Sequence, residues 1–295
     1  MKDWIRTEEL FCDEYRALVL LDHRRELKLL KELIEITEKS VGRKKADDTF
    51  SFEGVCYLFA QSIVGYAKTA FDNMLLGHFE VTFMVCRALI ENNVCLDILI
   101  QHEDEELWKY YLIQSYTNVM RRSKTRKKEY KKTLDELCES YHISEEFRRK
   151  QKQNDGSYKA LIDKNYGWTY KINENFSFAG LCKLVDPVDY HDFQFMSMFS
   201  HGTNVYNKIF KDASIDRIMN LVSCLYYGLK RLVMMYSVDM VEEEFYDVIE
   251  ELERILCEYV GEGRERLMRI GGIGGHMKSF MMCKYLFLFV GMDFV

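Results

Sequence analysis

The stretch His78-Phe79-Glu80-Val81-Thr82-Phe83-Met84-Val85-Cys86-Arg87-Ala88-Leu89-Ile90-Glu91-Asn92-Asn93-Val94 decides the fold. Its apolar residues cover most of a helical circumference instead of one stripe. A helix of that kind is covered by other helices, which predicts a bundle. Glu80, Arg87 and Glu91 nevertheless share one stripe of it, at spacings of seven and four. Charges inside a buried helix need partners. Two readings stand: an ion pair of Arg87 with Glu91 that fixes helix register, or a pair that grips a ligand.

Outward from this segment the pattern stays helical. Residues 8–39 place Leu10, Phe11, Leu18, Leu21, Leu29, Leu30, Leu33 and Ile36 on an amphipathic stripe, and Gly42 marks its stop. A second helix is expected at 52–76, Gly77 punctuates it, and the decisive helix then runs over 78–101. Glu103 to Glu106 suit the first turn of a fourth, which continues through Trp108, Tyr111, Leu112 and Tyr116. Between Arg121 and Lys132 eight of twelve residues are Lys or Arg, on a helical pattern. A helix start at Ser144 precedes the basic cluster Arg148-Arg149-Lys150, and residues 151–156 read as a polar loop. Residues 163–178, with Tyr166, Trp168, Tyr170 and Phe176, read as an ordered aromatic loop. Asp186-Pro187 starts a further helix reaching about 210. Two more follow at 214–237 and 240–260, the last strongly acidic from Asp239 to Glu253.

No alternating Val/Ile pattern predicts a sheet. The single proline, Pro187, stands where average usage of about 5% would give roughly fifteen. The fold class is therefore all-α, a multi-helix bundle with long antiparallel amphipathic helices. Residues 1–260 form the bundle, and 261–295 form an irregular Gly-containing C-terminal extension opened by Gly261 and Gly263.

Composition bounds function. Lys plus Arg is 41 and Asp plus Glu is 47, a net charge of −6. That excludes a wholesale nucleic-acid coat but not a local basic patch. None of the nine cysteines forms a pair at zinc-ribbon spacing, which fits free thiols in a reducing cytoplasm. The most apolar stretch, 281–295, is broken by Lys284 and Asp293, so no membrane span is expected. Gly271-Gly272-Ile273-Gly274-Gly275 lacks the Gly-Lys-Ser/Thr ending of a phosphate loop. His191-Asp192 is the dipeptide of helical HD phosphohydrolases, but His142, Asp212 and Asp216 offer no metal-site context. No metal and no cofactor is implied.

A second polar constellation is Tyr190-His191-Asp192-Phe193-Gln194-Phe195-Met196-Ser197-Met198-Phe199-Ser200-His201-Gly202. Ser197 and His201, four apart, share a helix face with Tyr190 and Phe193. His201 is either a hydrogen-bonded core histidine or a general acid/base.

Arg87-Ala88-Leu89-Ile90-Glu91, followed by Leu96 and the Trp108/Tyr111 helix, resembles the opening of the bacterial DUF5677 family. Trp168, Tyr190 and Ser197 with Ser200-His201-Gly202 resemble that family's second half. The resemblance spans about 55–235. It implies a helical bundle and nominates Arg87, Glu91, Ser197 and His201 as site residues. More distantly, it suggests kinship with HEPN-type ribonucleases of defence and toxin systems. Those place an Arg and a His four to six residues apart at one helix end. Here only Arg16 with His23 and Arg269 with His276 approach that spacing. The first lacks the usual polar residue after the Arg, and the second runs through glycines. Arg87 and His201 would have to meet through the fold.

The expectation drawn from this is metal-independent, HEPN-like ribonuclease activity. His201 would be the acid/base, Arg87 would stabilise phosphorane charge, Glu91 would orient Arg87, and Ser197 would hold the His. Arg121, Arg122, Lys124, Arg126, Lys127 and Lys128 would track RNA phosphates. The alternative is a non-enzymatic interaction or regulatory module. In it the polar core residues are structural, and the basic helix meets the acidic one within the chain, in a homodimer or in a protein partner.

Overall fold

The computed structural model describes residues 22–123, 125–152, 158–186, 190, 192–194, 196, 197 and 217–270. Described helices are α1 (Arg24–Arg43), α2 (Phe52–Leu75), α3 (Phe79–Gln101), α4 (Leu107–Arg122), α5 (Lys127–Ser140), α6 (Glu145–Arg148), α7 (Phe178–Leu184), α8 (Arg217–Leu232) and α9 (Glu243–Ile270). The described residues of 190–197 are helical too. The all-α, multi-helix architecture read from the sequence is what the chain adopts.

Helix α1 buries Leu27, Leu30, Leu33, Ile34 and Val41 on one stripe, the spacing that its sequence announces. Ser51 caps α2 by accepting from the Gly54 amide at 3.0 Å. Ala60, Ala67 and Ala70 lie along α2 at 0% exposure, and these small side chains let α3 pack close. The α2–α3 link turns at Gly77, whose φ of 75° suits glycine. Helix α3 is not buried all round. Val81 and Met84 are 40% and 39% exposed and Glu80 is exposed, whereas Leu89 to Leu99 sit almost wholly in the core. Helix α8 crosses α3 at Gly228, where a Cβ would press into Leu89. Helix α9 covers α1 and α8 with Phe245, Val248, Ile249, Leu252 and Leu256.

Several local expectations change. Glu103–Glu105 form a separate 3-10 turn, and Glu106 takes a left-handed φ of 53°, so α4 starts only at Leu107. The basic stretch is not one helix. Helix α4 ends at Arg122, Ser123 is extended, and its hydroxyl accepts from the Arg126 amide at 3.1 Å before α5 begins. Gln151–Lys152 and Tyr158–Lys159 pair as a short antiparallel ribbon where no strand is expected. Helix α9 continues past Gly261 and Gly263 to Ile270. Gly42 sits inside the last turn of α1.

Helix α8 passes directly into a π-helical turn, Val233–Ser237. That turn brings the Ser237 hydroxyl within 3.0 Å of the buried Ser40 hydroxyl. It also lets the Tyr236 hydroxyl donate to the Lys44 carbonyl at 3.2 Å. The acidic residues around α9 are paired with cations of α1, α8 and α9 itself. Arg25 meets Glu251, Arg43 meets Glu242, Lys44 meets Asp239 at 2.8 Å, Lys230 meets Glu253, and Arg254 meets Glu251 and Glu258. Asp239, Glu242 and Glu251 answer α1 and the adjoining Lys44 rather than the basic stretch, because α9 packs on α1. None of the described helices is long and apolar enough to cross a membrane.

Candidate functional site

Arg87 and Glu91 project from α3, one turn apart and both half-buried. No ion pair links them. The Arg87 guanidinium carbon instead lies 4.4 Å from the centre of the Phe193 ring, a cation–π contact. The Arg87 Nε is buried without a hydrogen-bond partner. Glu91 is held by Tyr166, whose hydroxyl donates to Oε1 at 2.6 Å. Burial, and then the Glu91 carboxylate, push the Tyr166 phenol far up, so it stays a donor. The two motifs therefore meet, but through aromatic rings. Phe193 packs 4.1 Å from Phe178, and Phe178 packs 6.1 Å from Tyr166. This arc runs from Arg87 back to Glu91.

Ser197 donates to the Phe193 carbonyl at 2.6 Å, one turn back along its own helix. His201, the proposed acid/base, lies outside the described residues, as do Lys124, Pro187 and His191. So do most of the Gly-rich tail and the apolar end, 271–295. Among the described residues no cluster of His, Cys, Asp and Glu could hold a metal ion.

Beside Glu91 a cleft of about 190 Å³ opens between α3, α4 and the loop of residues 164–168. Asn92, Tyr111, Gln114, Tyr166 and Trp168 line it with Glu91. Gln114 builds that wall. Its Nε2 donates to the carbonyls of Lys164 and, at 3.2 Å, Asn165, and its Oε1 accepts from the Trp168 amide at 2.9 Å. One buried side chain thus satisfies three backbone groups of the aromatic loop. Gly167 completes the loop's closure, since a Cβ there would run into the Leu161 carbonyl. Cys95 lies on the cleft floor, its thiol pushed up by burial and then by Glu91.

Sequence reading misses Gln114, although a polar residue on the buried stripe of α4 signals a need for partners. It also misses Asp97, 3% exposed in the run Val94-Cys95-Leu96-Asp97-Ile98-Leu99. Arg231 of α8 donates to Asp97 through Nε at 2.7 Å and through its second nitrogen. Burial pushes the Asp97 carboxyl up, with Arg231 pulling against it. A lone acid in an apolar run signals a buried pair, though not the identity of its partner.

Of the basic candidates, Arg121 is paired with Asp163, and Arg126 is paired with Glu129 through Nε at 2.8 Å. Arg122, Lys127 and Lys128 are exposed. Lys128, Lys131 and Lys132 share a shallow groove with Asp135, Glu136 and Glu139 further along α5. Lys127 and Lys128 lie in the first turn of α5, at the positive end of its dipole, whereas Lys132 is paired with Glu136 at 3.6 Å.

A family model described as a family of unknown function, DUF5677, matches residues 53–216. That span holds α2 to α7, the aromatic loop and the 190–202 segment, and stops short of α8 and α9. No curated protein and no solved structure matches.

Proposed function

This chain belongs to the DUF5677 family, and we propose that it is a metal-independent, HEPN-like endoribonuclease of the bacterial defence or toxin type, working in the cytoplasm. The observation that carries this reading is Arg87: a half-buried residue whose guanidinium lies on an aromatic platform, with a buried Nε that has no partner and no carboxylate paired to it among the described residues. A cation held this way is offered to an anion, and a phosphodiester fits it. Phe193 carries Arg87 onto the segment that bears Ser197 and, four residues on in the chain, His201. In this mechanism His201 removes the proton from a ribose 2′-hydroxyl as the 2′ oxygen attacks phosphorus. The P–O5′ bond breaks, and the proton passes to the 5′ oxygen. A 2′,3′-cyclic phosphate and a 5′-hydroxyl result. Arg87 stabilises the charge that builds on the phosphorane. Phe193, not Glu91, orients Arg87. Exposed Arg122, Lys127 and Lys128 bring the RNA in by charge.

The test incubates the purified chain with a mixed RNA pool, with and without EDTA, beside Arg87→Ala and His201→Ala variants checked by circular dichroism. Cleavage that survives EDTA, leaves cyclic phosphate ends and falls at least about a hundredfold in both folded variants supports the proposal. Intact RNA with the wild-type chain overturns it. A non-enzymatic interaction module is the second reading. It is favoured by Arg121 and Arg126, whose charges are already met by Asp163 and Glu129.

A further inference from the structure

The cleft beside Glu91 has a chemistry of its own. Its walls are aromatic: Phe59, Tyr111, Tyr166 and Trp168. Tyr111 stands edge-on to Trp168 at 5.6 Å and tilted to Phe59 at 4.8 Å. Its volume of about 190 Å³ exceeds several waters, at roughly 30 Å³ each, yet is too small for a whole nucleotide. Aromatic walls at this scale suit one planar ring.

Glu91 is the one charged group lining that space, with Asn92, Ser115, Asn118 and Asn165 as neutral polar neighbours. Glu91 accepts from Tyr166 through Oε1, and among the described residues Oε2 has no hydrogen-bond donor. Asn92 donates one N–H to the Ala88 carbonyl at 2.8 Å, which leaves its side-chain oxygen and its second N–H for an occupant. Gln114 is fully engaged with the loop backbone. Tyr166 has its proton committed to Glu91. Cys95, Tyr111 and Tyr166 are all pushed up, by burial first and with Glu91 among the further causes, so the carboxylate's field is felt across the cleft. An occupant that meets the Glu91 carboxylate edge-on is therefore planar and presents donors on that edge.

Among nucleobases only guanine carries two adjacent parallel donors, N1–H and N2–H, on its Watson–Crick edge. A carboxylate accepts that pair bidentately. Adenine and cytosine each set an acceptor beside a single donor group, and uracil flanks one donor with two acceptors. We infer that the cleft is a base-reading pocket for guanine, with Glu91 taking N1–H and N2–H beside the partly exposed Tyr111 and Tyr166 rings. Arg87, one turn back on α3, then sits where the phosphate of the same nucleotide strand would pass. The inference rests on the proposed action on RNA, and it makes the cut guanine-directed.

The test titrates guanosine, inosine, adenosine, cytidine and uridine 5′-monophosphates into the full chain by calorimetry. Guanosine monophosphate is expected to bind at least tenfold tighter than the adenosine, cytidine and uridine forms. Inosine monophosphate, which lacks N2–H, should fall between. Glu91→Gln retains an acceptor for Tyr166 and should remove the preference, lowering guanosine monophosphate affinity tenfold or more with an unchanged circular dichroism spectrum. Asn92→Ala supplies a second variant, expected to weaken guanosine monophosphate severalfold. Equal affinity for all five, no binding of any, or an undiminished preference in Glu91→Gln overturns the inference. Selective binding without RNA cleavage would keep the pocket and remove the nuclease. Cleavage without base preference would do the reverse.

Discussion

Replacing Gln114 with methionine removes the clamp on the aromatic loop and little else. Methionine is unbranched and of similar volume, so the packing change is small at this position of 5% exposure. Three hydrogen bonds vanish: those to the Lys164 and Asn165 carbonyls and the one from the Trp168 amide. Each is worth about 1 kcal/mol net, and a buried group left unpaired costs about 1–3 kcal/mol. The exposed Asn165 backbone can turn to water, whereas the Trp168 amide, in a residue 2% exposed, cannot. The expected loss is about 2–4 kcal/mol, read from urea unfolding by circular dichroism. At about 2 °C per kcal/mol for a chain of this size, the melting temperature should drop by about 4–8 °C. Amide exchange at Trp168 should accelerate well beyond that of the α3 core. Gln114→Glu should be no better, because its carboxylate still accepts from Trp168 but repels the two carbonyls. A loss below about 1 kcal/mol, or a destabilised protein whose Trp168 amide exchanges as before, would refute the assignment of the loop's position to Gln114.

Gly167→Ala forces a Cβ against the Leu161 carbonyl. It should cost about 1–3 kcal/mol and move Trp168 fluorescence, and an unchanged spectrum and melting curve would contradict that close approach. Ser51→Ala should destabilise by about 1 kcal/mol through loss of the α2 cap, against no effect from Ser62→Ala, whose hydroxyl only bonds the Leu58 carbonyl within the helix. Asp97, raised by burial above its ordinary 3.8, binds its proton more readily in the native state. Its contribution is therefore present below 3.8 and is lost as pH rises through the raised folded value. The stability of wild type minus that of Asp97→Asn should fall with rising pH in urea melts, and a flat or rising difference would reject the direction.

What the sequence conveys well is periodicity. The stripe of α1 and the all-helical reading follow from local rules and hold, whereas the saturation of α3 holds only from Leu89 to Leu99 and its first turns are partly exposed. Helix ends are less readable. Gly261 and Gly263 each cost about 1 kcal/mol in a helix, yet α9 runs through them to Ile270. Glu103 to Glu106 look like a dipole-matched first turn, but the left-handed Glu106 splits them from α4. Within the site, Arg87, Glu91 and Ser197 are visible as odd polar residues on helix faces. Their partners are not visible, since Tyr166 is 75 positions from Glu91 and the ring of Phe193 counts as apolar in any periodicity. The charge pattern suggests that the basic and acidic helices attract. The fold places α1 against α9 first, and the arginines of α1 take the acids.

The π turn at Val233–Ser237 has a consequence for chain length. Such a turn houses one residue more than the α turn it replaces. Helix α8 before it packs on α3 and α1, and the acidic helix, reached through the 3-10 turn Val238–Met240, packs mainly on α1. Deleting one residue here would restore α geometry and rotate everything beyond by about 100°. That would swing Glu242 and Glu251 away from Arg43 and Arg25. The joint works as a spacer that absorbs a one-residue mismatch between two interfaces. A shortened relative should therefore compensate in this turn before it changes either contact face.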